Sequence, residues 1–184
     1  MSQASSIGTQ FQTSNEKTNT LHQFISDIFQ RGKYLPLDQL CVVEGEIAWT
    51  LYAEINILEF DGGLETASLL ALVAALQNVL LPAYEADTEA GEMVPTEADA
   101  TKLDMTGVPF ALGFSLFDDS LVTDLTMEEE VLMDSRVCVV VDSSENIVRV
   151  DKIGGRPLSS DRLRSVVHTT KRNLNGVLET LAAA

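Results

Sequence analysis

Two short stretches of this chain combine residue types that could do chemistry. The first is Asp61-Gly62-Gly63-Leu64-Glu65, where a strand-like run ends and an apolar helix begins. A glycine-rich turn feeding a helix N-terminus outlines an anion site, because free N–H groups and the helix dipole both favour negative charge. Glu65 opposes that use, since it places an acid where a phosphate site calls for a base. No Lys or Arg occurs between Lys33 and Lys102 to compensate. In the first helical turn, the Glu65 carboxylate is expected to satisfy the free N–H groups itself, filling the anion pocket from within.

The second stretch is Leu121 to Glu130, LVTDLTMEEE. Asp124 with Glu128 has the composition of an acid/base pair or a Mg²⁺ site. A solvated acidic turn is the simpler reading of the same residues. Gly154-Gly155-Arg156 could form a phosphate-binding turn before the last helix, against the simpler reading of a helix-breaking connector. His22 and His168 lie far apart and lack ligand company at usable spacing, so no metal is expected. No nucleophile-elbow pattern occurs, and no cofactor is expected. Cys41 and Cys138 form no CxxC pair, which predicts a reduced, intracellular chain.

Charge narrows the partners. A formal net charge of −16 over 184 residues repels nucleic acid and membrane phosphates in general. The distribution is uneven: residues 85–134 hold 14 of the 28 acids and the single base Lys102. Residues 149–172 hold seven of the twelve bases, so any RNA contact falls there, with Arg156, Arg162 and Arg164 as candidates. The longest nearly apolar run, Leu69 to Ala83, is too short and interrupted to span a bilayer, and no membrane association is expected.

These residues need elements to position them. Residues 1–15 are polar and aperiodic, which predicts a disordered leader ahead of a single domain over 16–184. Leu21, Phe24, Ile25, Ile28 and Phe29 draw one apolar stripe on a helix from Glu16 to Arg31. Ile47 to Phe60 alternates as a strand apolar on both sides, which predicts a central strand covered on both faces. A helix apolar all round runs from Leu64 to about Leu80, ended by Pro82. Residues 83–106 are acidic and turn-rich, an exposed loop or insertion. Two hairpins follow, turning at Asp118-Asp119 and at Asp142 to Asn146. A last helix opens near Ser159 or Ser160, with Asp161 in its first turn. That order predicts an α+β fold, a sheet packed with helices. The predicted central strand, however, has neighbours supplied on only one side.

The succession WTLYAEINILEFDGGLETASLLALVAALQNVLLP, then GVPFALGFSLFDDSLVTDLTMEEEVL, then VCVVVDSSENIVRVDKIGG resembles the RNase PH domain. It is most similar to the non-catalytic branch of the ring subunits of the eukaryotic RNA exosome, over roughly Thr20 to Leu181. The resemblance implies an RNase PH-like fold (ribosomal protein S5 domain 2-like), a mixed sheet packed with helices. Family members carry further N-terminal strands opening on an arginine-bearing RPDGR-like segment, so this chain is expected to be an N-terminally truncated domain.

The resemblance also bears on activity. Phosphorolytic relatives follow the Gly-Gly turn with Thr-Arg, and that arginine forks onto phosphate. This chain has Leu64-Glu65 there, which makes Gly62, Gly63 and Glu65 a degenerate phosphate site. Asp124 falls where those relatives keep a catalytic acid and is read as vestigial. The implied function is a non-catalytic structural subunit of the exosome core ring, supporting 3′-to-5′ processing and degradation of RNA, including rRNA processing and mRNA turnover. Its implied partners are other RNase PH-like subunits in a hetero-oligomeric ring, cap subunits, and RNA through the assembled complex. The implied location is nucleus, nucleolus and cytoplasm. The alternative is a phosphate-dependent 3′-to-5′ exoribonuclease whose phosphate site a partner subunit completes.

Overall fold

A computed structural model describes residues 16–87, 92–117 and 120–183. The expected leader, residues 1–15, and the turn at Asp118-Asp119 lie outside the described residues.

Helix α1 (Glu16–Gly32) forms as its stripe predicts. Leu21, Phe24, Ile25, Ile28 and Phe29 are all buried, and Arg31 complements the dipole in the last turn. A 3-10 turn over Leu37–Leu40 leads into β1 (Cys41–Val43) and β2 (Ile47–Ala48), which pair antiparallel. Beyond Ala48 the expected central strand is absent: residues 49–60 belong to no strand. Trp49, Leu51 and Ile55 pack half-buried on the core, while Tyr52 is 82% and Leu58 97% exposed. Alternation sorted the side chains onto two sides. A ladder also needs a neighbour to take its N–H and C=O groups, and no described strand lies there.

Helix α2 (Leu64–Gln77) stops before Leu80 and Pro82, because the Asn78 N–H returns to the carbonyls of Ala75 and Leu76. The next residues, β3 (Leu80–Leu81), are extended instead. In the acidic segment 83–106, β4 (Tyr84–Asp87) and β5 (Glu92–Pro95) form an antiparallel hairpin, and β6 (Thr101–Lys102) pairs with β3. The segment expected as an exposed loop or insertion thus carries short paired strands.

The main sheet contains β7 (Phe110–Phe117), β8 (Ser120–Thr123), β9 (Ser135–Val141) and β10 (Ile147–Gly154) in the order β10-β9-β7-β8. All strand pairs among the described residues are antiparallel, including this sheet, which the sequence reads as mixed. Helix α3 (Met127–Leu132) connects β8 to β9 and starts with a capping box between Thr126 and Glu129. Helix α4 (Ser160–Ala183) ends the described chain, with the Ser159 hydroxyl accepting the Arg162 N–H at 3.3 Å.

The layers follow from the residues of β9. Cys138 and Val140 face the core built with α1 and α2, while Val137, Val139 and Val141 face the core built with α4. The four valines are fully buried. Each such side chain contributes about 1.5–3 kcal/mol relative to exposure. A strand covered on both faces therefore reads as the continuous apolar run VCVVV.

Candidate functional site

The glycine turn and the acidic stretch, 60 residues apart in sequence, meet in the fold. Gly62 (φ +91) and Gly63 (φ +60) carry the chain from residue 60 into α2. Gly62 lies against the stretch after β8: a Cβ there would sit 2.0 Å from the Leu125 carbonyl oxygen. The Gly63 N–H donates to Glu130 Oε1 at 3.1 Å, and the Met127 N–H donates to Asp61 Oδ1 at 3.0 Å. Each helix start is thus met by a carboxylate from the other segment.

Glu65 behaves differently from the expectation. Its carboxylate caps no N–H at the start of α2; it accepts from the guanidinium of Arg136, the second residue of β9. The compensating cation is 71 residues away in sequence, beyond Lys102. The carboxylate that does occupy a free N–H of the turn is Glu130. That is a different acid from the one the sequence indicated.

The result is a helix N-terminus surrounded by Asp61, Glu65 and Glu130 with one cation, Arg136, already paired. Two like charges about 4 Å apart repel by roughly 4 kcal/mol at an effective dielectric of about 20. An incoming phosphate would therefore have to displace Glu130 from Gly63 and Glu65 from Arg136.

Asp124 stands at the end of β8, exposed, in the left-handed region at φ +59. Aspartate tolerates that region better than most residues. Glu128 is exposed in the first turn of α3. Among the described residues no three His, Cys, Asp or Glu side chains gather as a metal site. No helix of the described residues is long and apolar enough to cross a membrane.

The basic candidates lie elsewhere. Arg156 is exposed in the connector after β10, where Gly154 (φ +70) and Gly155 (φ +58) turn the chain. Arg162 is half-buried in the first turn of α4. Arg164 is exposed and sits 3.6 Å from Asp161. Sequence reasoning missed Arg149 on β10, which is held by Asp151 and, at 2.7 Å, by Asp27 of α1, with its guanidinium over the Phe24 ring. That residue ties α1 to the sheet, so it is not free for RNA.

Comparison with known proteins bears on the fold that carries these residues. Residues 107–173 match the family model described as 3′ exoribonuclease family, domain 2. The chain is 27% identical over 167 residues to the exosome complex component Rrp42 of Methanothermobacter thermautotrophicus, covering 91% of this chain and 61% of that protein. It is 28% identical over 157 residues to the exosome complex component rrp43 of Schizosaccharomyces pombe, covering 85% and 58%. The chain thus spans about three-fifths of these relatives. The structure of the Archaeoglobus fulgidus exosome with RNA bound to the active site superposes with a TM-score of 0.74 at 22% identity, covering 93% of this chain and 64% of that one. At that identity the likeness is one of fold. Residues 107–173, from the approach to β7 into α4, match the RNase PH C-terminal family model, and the chain has the RNase PH-like fold seen in the archaeal exosome cores.

Proposed function

We propose that this chain is a non-catalytic structural subunit of an exosome-type ring, contributing interface and pore wall to 3′-to-5′ RNA processing and degradation. The observation that carries it is the occupied glycine turn: Glu130 takes the Gly63 N–H and Glu65 takes Arg136. Phosphorolysis needs fixed positive charge to hold phosphate beside a polyanion, and this site offers a surplus of carboxylates. Relatives named as exosome complex components support a place in such a complex, with RNase PH-like siblings, cap subunits and RNA as the proposed partners. A net charge of −16 suits a subunit that leaves RNA contact to more basic neighbours. Residues 50–59, which belong to no described strand, suit one that completes its packing against other polypeptide.

The test is co-purification with mass spectrometry, paired with a phosphorolysis assay. The tagged chain should recover RNase PH-like subunits. The reconstituted ring should release no nucleoside diphosphate from poly(A) that depends on this chain. Failure to recover ring subunits would overturn the proposal.

One feature favours a second reading. Asp124 is exposed, with its backbone in the left-handed region, and strained polar residues concentrate at functional sites. If a partner's arginine completed a site around it, phosphate-dependent release would appear with the ring and vanish on Asp124→Ala. Release unaffected by that substitution would remove this reading.

A further inference from the structure

The edge of the main sheet carries an apolar groove whose chemistry is matched elsewhere on the same chain. Helix α4 covers β9 and β7 but stops short of β10, the end strand of the sheet. Between them lies an open groove of about 420 Å³, floored by Ile147, Val150, Leu163 and Val167. Ile147, Val150 and Leu163 are exposed hydrophobic residues. Arg164, His168 and Lys171 form its rim. In a chain of net charge −16, this is an apolar surface edged by bases.

The complementary surface is α3. Its Val131 is 81% and its Leu132 69% exposed, with Met127 exposed as well. Glu128 and Glu129 stand beside them, also exposed. None of the three apolar side chains belongs to either hydrophobic core. An apolar ridge flanked by acids thus faces solvent on one part of the molecule, and an apolar groove flanked by bases faces solvent on another.

The two cannot meet within one chain. Helix α3 ends just before Ser135, the first residue of β9, whereas the groove begins at Ile147, which pairs with Val141 at the other end of that strand. Six residues of extended chain separate the ends by roughly 20 Å. We propose that the α3 ridge of one copy of this chain seats in the β10–α4 groove of a second copy, a head-to-tail contact in which apolar burial is oriented by Glu128 against Arg164 and Lys171. Existing pairs at the rim do not prevent it: the half-buried Lys171 lies 3.9 Å from the exposed Glu145, and Arg164 lies 3.6 Å from Asp161 with both side chains exposed, so neither pair is tight. A contact between different surfaces propagates, closing into a ring or extending as a filament. The inference goes beyond the proposed function, because a chain can join a ring of siblings without contacting its own copies.

Sedimentation equilibrium of the full chain over a range of concentrations tests it, with circular dichroism to confirm that each variant is folded. The wild type should associate. Val131→Asp on the ridge and Leu163→Asp in the groove should each weaken association by about tenfold or more. Glu128→Lys and Lys171→Glu should each weaken it too, and a mixture of those two variants should recover a complex that neither forms alone. A wild type that stays monomeric throughout, or association indifferent to both Val131→Asp and Leu163→Asp, would overturn the proposal. Recovery of sibling subunits with a monomeric wild type would remove this contact and leave the proposed function standing.

Discussion

Glu65 in the first turn of α2 and Arg136 in β9 form an ion pair that pins the helix start to the central strand of the sheet. Both side chains are more than two-thirds buried, at 21% and 26% exposure. The pair therefore has two consequences: it locks the glycine turn in place, and it consumes the cation nearest a potential anion site.

Removing one partner should expose both consequences. Glu65→Ala leaves the Arg136 guanidinium partly buried without its acceptor, which costs about 1–3 kcal/mol. The melting temperature should fall by a few degrees, up to about ten. Glu65→Arg with Leu64→Thr sets a second guanidinium beside Arg136, and its melting temperature should climb with added phosphate by linkage. The wild type should not respond. If the double variant is equally indifferent to phosphate, the pocket is not at this turn.

The two glycines should differ sharply. At Gly62 an added Cβ meets the Leu125 carbonyl oxygen at 2.0 Å, and φ is +91, so Gly62→Ala must move the stretch that carries α3. At Gly63 nothing lies within 4 Å, and the only cost is the left-handed backbone at φ 60. Gly63→Ala should lose about 1–2 kcal/mol, and Gly63→Asn less. Gly62→Ala should lose clearly more, as a chemical denaturation series on the three variants would show. Equal losses would mean that the turn is not packed against Leu125.

Much of this was legible locally. The stripe from Leu21 to Phe29 specified α1, and the turn at Asp142 to Asn146 marked the hairpin of β9 and β10. What escaped is what depends on distant chain. Arg136 is invisible as the partner of Glu65 until β9 packs against α2. Glu130 reads as part of a solvated acidic run until its carboxylate reaches Gly63. Alternation over Ile47 to Phe60 reports which side chains turn inward but says nothing of whether a neighbouring strand is present to bond. The helix expected to reach Leu80 ends at Gln77, and Leu80 and Leu81 beyond its cap pair with β6, a long-range choice that propensity does not encode.

Alkaline conditions should unfold the chain through two groups. Burial, with Glu65 adding to it, pushes the Cys138 thiol up from 9.0 to about 12. Burial, with Asp142 adding to it, pushes the Tyr34 phenol up from 10.0 to about 12. Both native groups hold their protons where the unfolded chain has released them. Stability is therefore full below about pH 9 and declines as pH rises toward 12. A thiol reagent at pH 8 should label the exposed Cys41 and spare Cys138 until denaturant is added. Cys138→Ser should not restore resistance to alkali completely, since Tyr34 remains; full restoration would show that Tyr34 takes no part.

The stretch 50–59, outside every described strand, makes the last prediction. The Trp49 N–H bonds the Leu40 carbonyl at 2.7 Å, but no described strand pairs with the residues after it. Their inward side chains Trp49, Leu51 and Ile55 hold the segment against the core without supplying hydrogen bonds. Backbone amides without partners exchange quickly even when the chain beside them is stable. Hydrogen exchange should therefore find residues 50–59 unprotected, beside strong protection in β7 and β9. Joined to RNase PH-like siblings, the chain should show slower exchange here if other polypeptide completes this face. Protection already present in the isolated chain would contradict the unpaired geometry. Exchange that stays fast in the assembly would place the docking surface elsewhere.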